Sequence, residues 1–330
     1  MFFNKIKSYV YQTEILEIDI KQQLSYYKKN YIFNFIKILL IKLFRSFYRT
    51  IQRNIIKPSI RFRIINYERY LIRLLTGFNK KNINMRNNTL ILKKNSFLKL
   101  DNLFNSEELN EIKLYLNSRK NMEEIFENNL NKKLDMKYYK TEDLINNPLI
   151  LKAACDPKIL ELLSNYFGCK FKLDWIWSWW SFTNKDEVPM GPQKFHRDYE
   201  SFNFLKLFVY LTDVIGDDGG HQIVKGSHYK NLSYKIQRYS DEEIEKNYSN
   251  EEIATIDGNK GQTFLANTFA IHRGLKPKNN DRLVLVYLFS VIPSRRSPKI
   301  PPINFSEIKT HRDKFFNNKY IFSNFINFRK

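Results

Sequence analysis

Phe195-His196-Arg197-Asp198 is the stretch from which the fold of this chain is worked out, and His272 follows it much later. Strand side chains alternate between two faces, so a His-x-Asp pair at a strand end presents its imidazole and carboxylate on one side. A histidine from a later strand can then complete a three-ligand face on a metal ion. Two imidazoles and one carboxylate, with open positions opposite them, are the arrangement expected for a non-haem Fe(II) site. Arg282 adds a planar, permanently charged group that suits a carboxylate.

Short strands and tight turns dominate the second half of the sequence. Apolar side chains alternate with other side chains through residues 204–214, and the glycine-rich turn at 216–220 requires positive φ angles. All four tryptophans lie in an extended stretch at 171–182, where they either fill a core against helices or wall a pocket beside the metal. The predicted strands lie at 97–104, 171–182, 204–214, 221–224 and 282–291, with a hairpin at 261–273 that carries His272.

Predicted helices are concentrated toward the N-terminus. Residues 1–88 have a helical and basic pattern, and residues 87–95 predict a polar linker with a short strand at 89–92. Further helices are predicted at 106–117 with Ser106 as the N-cap, and at 148–167 ending at Gly168. A polar insertion at about 233–257 contains two more expected N-caps, Ser240 and Ser249. This order of elements predicts a double-sheet jelly roll, mainly β with helical support.

The net charge of +21 is concentrated near the N-terminus. The first 95 residues contain 20 Lys and Arg against 4 Asp and Glu, whereas the remaining 235 residues account for only +5. Residues 31–53 predict a basic amphipathic helix. Its apolar arc contains Ile32, Ile36, Leu39, Leu40, Leu43, Phe44 and Phe47, and its basic arc contains Lys37, Lys42, Arg45, Arg49 and Arg53.

Three interpretations of this helix stay open. Its apolar face packs on the rest of the chain or on a second subunit, or the helix lies on an anionic membrane surface, or it binds nucleic acid. The third interpretation is disfavoured because no recognised nucleic-acid-binding motif accompanies the charge.

Composition indicates a globular protein of a reducing compartment. A chain that is 43% hydrophobic and 15% aromatic is not a disordered one. Cys155 and Cys169 have no metal-binding spacing and fit a compartment in which thiols stay reduced. The sequence starts without the pattern of a secretory signal and contains no stretch that predicts a spanning helix. We therefore expect a cytoplasmic protein, peripheral to the inner face of a membrane if the basic helix binds lipid.

Three segments and one arginine resemble the phytanoyl-CoA dioxygenase family. They are the His-x-Asp run at 196–198, DGGHQIVKGSH at 218–228, GQTFLANTFAIH at 261–272, and Arg282. The resemblance covers about residues 96–292 and implies an Fe(II)- and 2-oxoglutarate-dependent oxygenase on a double-stranded β-helix, a jelly-roll and cupin-like fold. The implied organisation is a basic helical extension at 1–88 and a dioxygenase domain at 89–330, with its catalytic core at about 96–292.

The resemblance also implies residue roles. By position, His196, Asp198 and His272 would be the catalytic iron ligands, and Arg282 would hold the distal carboxylate of 2-oxoglutarate. O2 would take the remaining coordination site, and a small-molecule or lipid-linked substrate would be hydroxylated or otherwise oxidised with release of succinate and CO2. Related halogenases have a small residue in place of the carboxylate, which leaves room for chloride, so Asp198 favours oxygenation.

Three positions depart from the family pattern or carry no expected chemistry. Gly274 stands where relatives often have a hydroxyl that helps to bind 2-oxoglutarate, and Thr263 or Gln193 are the candidates to replace that contact. His221 stands where a smaller or apolar residue is more usual, so it either faces the pocket or is exposed. His228, in the Gly-Ser-His turn, is expected to be structural.

Two other functions compete with that of an oxygenase. A catalytically silent jelly-roll binding protein, tethered to a membrane by the basic helices, would have no need of an intact ligand set and Arg282. A cupin-like metal enzyme such as an isomerase would normally offer more histidines on its strands than the five in this chain.

Overall fold

The structure, a computed structural model, describes residues 43, 46–48, 50–52, 54, 55, 57–78, 86–119, 122–127, 132–183, 188–229, 237–293, 303, 304 and 312–327. The helices that have defined ends in this part of the chain are α1 (Pro58–Thr76), α2 (Arg86–Asn95), α3 (Ser106–Asn117), α4 (Thr141–Ile145), α5 (Pro148–Ala154), α6 (Pro157–Phe167), α7 (Asp241–Asn247), α8 (Arg312–Asn317) and α9 (Lys319–Phe322). The strands are β1 (Phe97–Leu100), β2 (Glu123–Glu127), β3 (Lys132–Tyr138), β4 (Lys172–Ser181), β5 (Phe204–Tyr210), β6 (His221–Val224), β7 (Ile253–Ile256), β8 (Thr263–Ala266), β9 (His272–Gly274), β10 (Arg282–Ser290), β11 (Ile303–Asn304) and β12 (Ile326–Asn327).

Two antiparallel sheets face each other and form the double-stranded β-helix that the sequence predicted. The larger sheet has the strand order β1-β8-β5-β10-β4-β3-β2, and the smaller sheet has the order β7-β6-β9. Single backbone bridges extend the smaller sheet, one of them from His196 to His272 and another from Phe195 to Tyr239. The sheet thereby brings the His-x-Asp stretch next to β9.

The alternation predicted for residues 204–214 separates the two faces of the larger sheet, as expected. Leu207 belongs to the main core, where the sheet packs on helices that include α3, α5 and α6. Phe208 belongs to a second cluster between the sheets, which also contains Ile223 of β6. Each aliphatic side chain fully buried in this way contributes about 1.5–3 kcal/mol of hydrophobic stabilisation.

Strand β4 carries tryptophans on both of its faces. Trp177 and Trp179 pack on the cluster between the sheets, and Trp175 stacks on Trp177 with ring centroids 5.7 Å apart. Trp180 points to the other face, where its Nε1 donates to the Tyr139 hydroxyl at 3.0 Å. Trp180 therefore lies against the helical side, as the core interpretation expects, and the other three rings lie between the sheets. That they wall a pocket beside the metal stays a prediction.

Helix ends follow capping chemistry, with two differences from the prediction. Asn105, not Ser106, is the N-cap of α3, because its side chain accepts a hydrogen bond from a backbone N–H of the first turn. The helical region predicted at 148–167 is divided into two helices, since Asp156 caps a new helix that begins with a proline. Gly168 ends α6 in the left-handed region, at φ 63°, as predicted.

The strand predicted at 89–92 is wrong, because these residues belong to helix α2. Leu92 is buried in the main core, and the Lys93 ammonium lies 5.9 Å from the ring centroid of Tyr166 on α6. Tertiary packing therefore determined the secondary structure of a segment whose local pattern was ambiguous. The predicted boundary between residues 88 and 89 falls within this helix and stays a prediction.

The hairpin predicted at 261–273 is also wrong. Strand β8 pairs with β1 and β5 in the larger sheet, whereas β9 pairs with β6 in the smaller sheet. The turn between them, in which Ala270 N donates to Asn267 O at 2.9 Å, carries the chain from one sheet to the other. In the insertion predicted at 233–257, Ser240 caps α7 as expected, but the chain then continues as strand β7; residues 230–236 lie outside the described residues.

Helix α1 packs on the β-core. Arg61 donates to the carbonyls of Ser201 and Phe202 at 3.0 and 2.8 Å, and its guanidinium lies 3.5 Å from the ring centroid of Phe269. The amphipathic helix predicted at 31–53 lies mostly outside the described residues. Within the described part of the chain, no helix is both long and apolar enough to cross a membrane.

Candidate metal centre

The backbone holds the two predicted histidine ligands side by side. His196 N donates to His272 O and His272 N donates to His196 O, each at 2.9 Å. Asp198 N donates to Thr268 O at 2.9 Å, so the carboxylate is anchored to the turn that leads into β9. Because residues 196 and 198 are two apart on an extended segment, both side chains point to the same side.

The three predicted ligand side chains converge. His196, Asp198 and His272 each offer one ligand atom, and these atoms lie within 4.8 Å of one another. Asp198 Oδ1 is 3.7 Å from His196 Nε2, and Asp198 Oδ2 is 3.4 Å from His272 Nε2. A group of two imidazole nitrogens and one carboxylate fits an iron site.

Backbone carbonyls orient both imidazoles. The Nδ1 of His196 donates to Lys194 O at 2.8 Å, and the Nδ1 of His272 donates to Ala270 O at 2.9 Å. The proton of each neutral ring is thereby held on Nδ1, which leaves the Nε2 lone pair directed to the centre. Burial, with His272 as a second cause, lowers the pKa of His196 well below its usual value, so this ring is in the form that binds a metal.

A lysine that the sequence analysis did not single out completes the immediate surroundings. Lys206 of β5 places its Nζ 2.7 Å from Asp198 Oδ2 and 5.0 Å from the ring centroid of Trp177. Burial by itself raises the pKa of Asp198, but Lys206 and then His272 outweigh it and hold that pKa well below the usual range. The sequence feature that could have identified Lys206 is its position as a lysine on a predicted strand whose other face is fully apolar.

Arg282, at the start of β10, is buried on the inner side of the larger sheet. Its Nη2 donates to Ser181 Oγ at 3.1 Å, and its Nη1 donates to the carbonyl of Gly219. A Cβ built on Gly274 would come within 3.0 Å of Nη2, so Arg282 lies directly beside the strand that carries His272. The predicted arginine and the metal ligands thus share the space between the two sheets.

The two candidates for the missing hydroxyl occupy different places. Thr263 pairs with Val209, a residue of the helix-facing core, and its hydroxyl donates to Gly261 O at 2.9 Å. This geometry puts Thr263 on the opposite face of β8 from the metal centre. Gln193 lies in the loop before the His-x-Asp stretch, and its Oε1 accepts from Met190 N at 3.0 Å.

The remaining two histidines of the family-like segments have separate environments. His221 is buried and faces the site, with its ring centroid 5.3 Å from that of His272. Burial, then His272 and then Arg282 lower the pKa of His221 well below its usual value. His228 makes a hydrogen bond of 2.8 Å through Nδ1 to Ser96 Oγ, so it ties the Gly-Ser-His turn to the start of β1.

Arg197, between the first two ligands, points away from the metal centre. It donates to Phe269 O at 2.8 Å and to Ser227 O at 3.1 Å. Ser227 in turn accepts from Ile271 N at 2.7 Å. These contacts join the His-x-Asp stretch, the Gly-Ser-His turn and the approach to β9 into one support for the ligands.

Comparison with known protein families identifies the family of this chain. The family model described as phytanoyl-CoA dioxygenase (PhyH) matches residues 94–282, which is more than half of the chain. The chain belongs to the phytanoyl-CoA dioxygenase family. With its His-Asp-His group, this PhyH-family protein is an Fe(II)- and 2-oxoglutarate-dependent enzyme.

Solved structures similar to this PhyH-family chain are distant from it. The epimerase SnoN, in complex with Fe3+, alpha ketoglutarate and nogalamycin RO, has a TM-score of 0.48 and 16% identity, covering 62% of this chain and 82% of SnoN. HygX from Streptomyces hygroscopicus, with nickel, 2-oxoglutarate and hygromycin B, has a TM-score of 0.46 and 16% identity, with coverages of 62% and 87%. No curated protein matches the chain.

Proposed function

We propose that this PhyH-family protein hydroxylates, or otherwise oxidises, a small-molecule substrate at a site where His196, Asp198 and His272 bind Fe(II) and Arg282 binds 2-oxoglutarate. The observation that carries the proposal is the convergence of the three ligand atoms within 4.8 Å, in the same inter-sheet space as a buried arginine. Membrane tethering of a catalytically silent binding protein, the alternative considered from the sequence, receives no support from the described residues.

Each residue has a defined task in the proposed reaction. His196 and His272 offer Nε2 lone pairs because their Nδ1 protons are held by backbone carbonyls, and Asp198 offers a carboxylate oxygen. Arg282 matches a carboxylate of the co-substrate with its planar guanidinium. When bound, iron and 2-oxoglutarate supply an oxidant that removes a substrate hydrogen as 2-oxoglutarate and O2 are converted to succinate and CO2. Asp198 occupies the ligand position that chloride would need, which favours oxygenation over halogenation.

The walls of the site favour a substrate with an apolar ring. Trp175 and Trp177 form a stacked pair between the sheets, and their rings are partly exposed. The indole Nε1 atoms of Trp175 and Trp179 are buried and have no hydrogen-bond partner among the described residues, so a bound molecule with acceptor groups would satisfy them. Lys206, beside Trp177, adds positive charge to the same wall.

The test is iron-dependent formation of succinate from 2-oxoglutarate by the full-length protein in air. We expect turnover even without the native substrate, and its loss on adding a chelator. His196→Ala should abolish the reaction, whereas Lys278→Ala, at an exposed position 65% accessible to solvent, should leave it unchanged. Absence of iron-dependent succinate from protein shown by metal analysis to contain iron would contradict the proposal.

A further inference from the structure

His221 occupies a fixed place in the space between the sheets. It lies directly opposite Gly274 in the pairing of β6 with β9. Its imidazole is held against the rings of Phe208 and Phe264, with centroid distances of 4.9 and 5.6 Å. Its backbone N–H donates to the Tyr210 hydroxyl at 3.1 Å, so both its main chain and its ring are positioned.

One nitrogen of this imidazole is unsatisfied. His221 is 7% exposed, and its Nε2 is buried without a hydrogen-bond partner among the described residues. Leaving a buried polar group unpaired is unfavourable, so such groups in native proteins usually have a hydrogen-bond partner. His221 does not belong to the group of side chains whose ligand atoms converge on the metal centre. The His221 Nε2 atom therefore needs a hydrogen-bond partner other than the iron ion.

The neighbouring arginine has the same requirement. Arg282 is 6% exposed, its Nε is buried and unpartnered, and among the described residues no carboxylate forms an ion pair with it. A buried guanidinium is stable only when an anion or several acceptors balance it. His221 lies opposite Gly274 and the Arg282 guanidinium lies beside the same residue, so one anion can contact both side chains.

Gly274 is the strand position that His221 and Arg282 share. Directly opposite residues of an antiparallel pair have Cβ positions about 4.5–5.5 Å apart, so the side chain of His221 extends beside a strand position that has none. Any side chain at 274 would start within 3.0 Å of Arg282 Nη2. Because residue 274 has no side chain, no side chain at that position separates the guanidinium from the imidazole.

We propose that His221 is a second donor for the distal carboxylate of 2-oxoglutarate, giving its Nε2–H to one carboxylate oxygen while Arg282 binds the other. A neutral imidazole carries one N–H, and in the Nε2–H tautomer the ring donates this hydrogen bond without being charged. This inference rests on the proposed function, because it assumes that 2-oxoglutarate binds between the metal centre and Arg282. It makes His221 a selectivity residue for 2-oxo acids with a second carboxylate.

Two substitutions separate the hydrogen bond from the packing. His221→Gln keeps an N–H donor near the position of Nε2, and His221→Leu keeps an apolar body between Phe208 and Phe264 without a donor. The dissociation constants of 2-oxoglutarate and of pyruvate, which lacks the distal carboxylate, are measured by calorimetry on Fe(II)-loaded protein without O2. Arg282→Met serves as the reference for loss of the distal contact, and iron content is measured for every variant.

We expect His221→Leu to raise the dissociation constant for 2-oxoglutarate about ten- to hundredfold, the loss of one charge-assisted hydrogen bond. His221→Gln should stay close to the wild-type value, and pyruvate should bind all variants equally. Equal 2-oxoglutarate affinity in His221→Leu and the wild type overturns the inference. So does a loss of affinity shared by Gln and Leu, an equal loss for pyruvate, or a loss of iron. Failure of the wild type itself to bind 2-oxoglutarate with iron overturns the proposed function, and this inference with it.

Discussion

Lys206 places a positive charge against the carboxylate of Asp198, which we assign as an iron ligand. The ammonium nitrogen lies 2.7 Å from Oδ2, where it competes with a metal ion for the same oxygen. The same side chain also lies beside Trp177 on the wall assigned to the substrate. On the proposed function, this one residue affects both the affinity of the metal centre and the binding of substrate.

Replacing Lys206 by methionine should change these two properties in opposite directions. Without the competing charge, Mn(II) or Fe(II) should bind several-fold more tightly, because a positive charge beside a carboxylate repels a metal cation and lowers the affinity of the site for it. Substrate turnover should fall, because the substrate wall loses its cation. Metal affinity is measured by calorimetry at neutral pH, with Lys278→Met as the matched exposed control. Weaker metal binding in Lys206→Met would instead assign the lysine an orienting role.

At the scale of single residues, the sequence predicted the candidate metal ligands better than the residues that surround them. The ligand set could be predicted because His196 and Asp198 are neighbours in sequence and share one face of one segment. Lys206 and His221 could not be placed, because the partner of each comes from another strand. Thr263 was considered for the site on its hydroxyl alone, and the face of β8 that it occupies depended on the register with β5.

Among the elements, helix α1 contains a buried acidic side chain with a raised pKa. Glu68 is 4% exposed, and burial raises its pKa to about 7 although Tyr48 donates a hydrogen bond to Oε1 at 2.5 Å. Arg61 and Arg69 face it and act in the opposite direction to burial. The folded protein must therefore bury this carboxylate in its charged form above neutral pH.

The pH dependence of stability follows from the sign of that shift. Since the folded pKa lies above the unfolded value, the stability that protonated Glu68 allows is present at low pH and is lost as the pH rises through about 7. Glu68→Gln should remove this loss and gain on the order of 3 kcal/mol in free energy of unfolding, relative to the wild type, between pH 4.5 and pH 8. Urea unfolding across this range measures the difference, and Glu245→Gln on α7 is the exposed control. A constant difference between Glu68→Gln and wild type would contradict the assignment.

Two helix ends that depend on a single nearby residue were predicted correctly. Elements whose pairing or burial depends on distant parts of the chain were not. Gly168 and Ser240 end or begin helices through their own conformation or hydroxyl, so their roles could be predicted from the sequence. Strand β9 was assigned to a hairpin because Asn267 lies in a turn, but the turn connects two sheets rather than two neighbouring strands. Helix α2 was missed because Leu92 is buried by contacts that its own segment does not reveal.

At the scale of the whole molecule, the described part of the N-terminal extension is joined to the catalytic core. Arg61 is 1% exposed and contacts backbone carbonyls at 201 and 202. Tyr48 adds a hydrogen bond of 3.2 Å to Ser201 Oγ and an edge contact with Phe202. Helix α1 therefore stabilises the segment that follows the His-x-Asp ligands.

Two truncations test this role. Removing residues 1–42 keeps Tyr48, α1 and their contacts with residues 201 and 202, so this protein is the reference for the contribution of α1. Removing residues 1–78 exposes the rings of Phe202 and Phe269, and the melting temperature should fall by several degrees, as a loss of a few kcal/mol implies. Circular dichroism on both proteins, with liposome sedimentation alongside, also tests the predicted membrane contact of residues 31–53. Equal melting temperatures for the two truncations would show that α1 contributes no stability to the core.

The reciprocal hydrogen bonds between His196 and His272 have a consequence for metal selection. The main chain sets the bite of this chelate, because the two rings are attached to residues that are already paired across the sheet. Exchanging Asp198 for another side chain leaves that bite unchanged and alters only the hardness and charge of the third donor. We therefore expect that one substitution at Asp198 can change the metal preference of the site, or open a position for an exogenous anion, without moving the paired backbone.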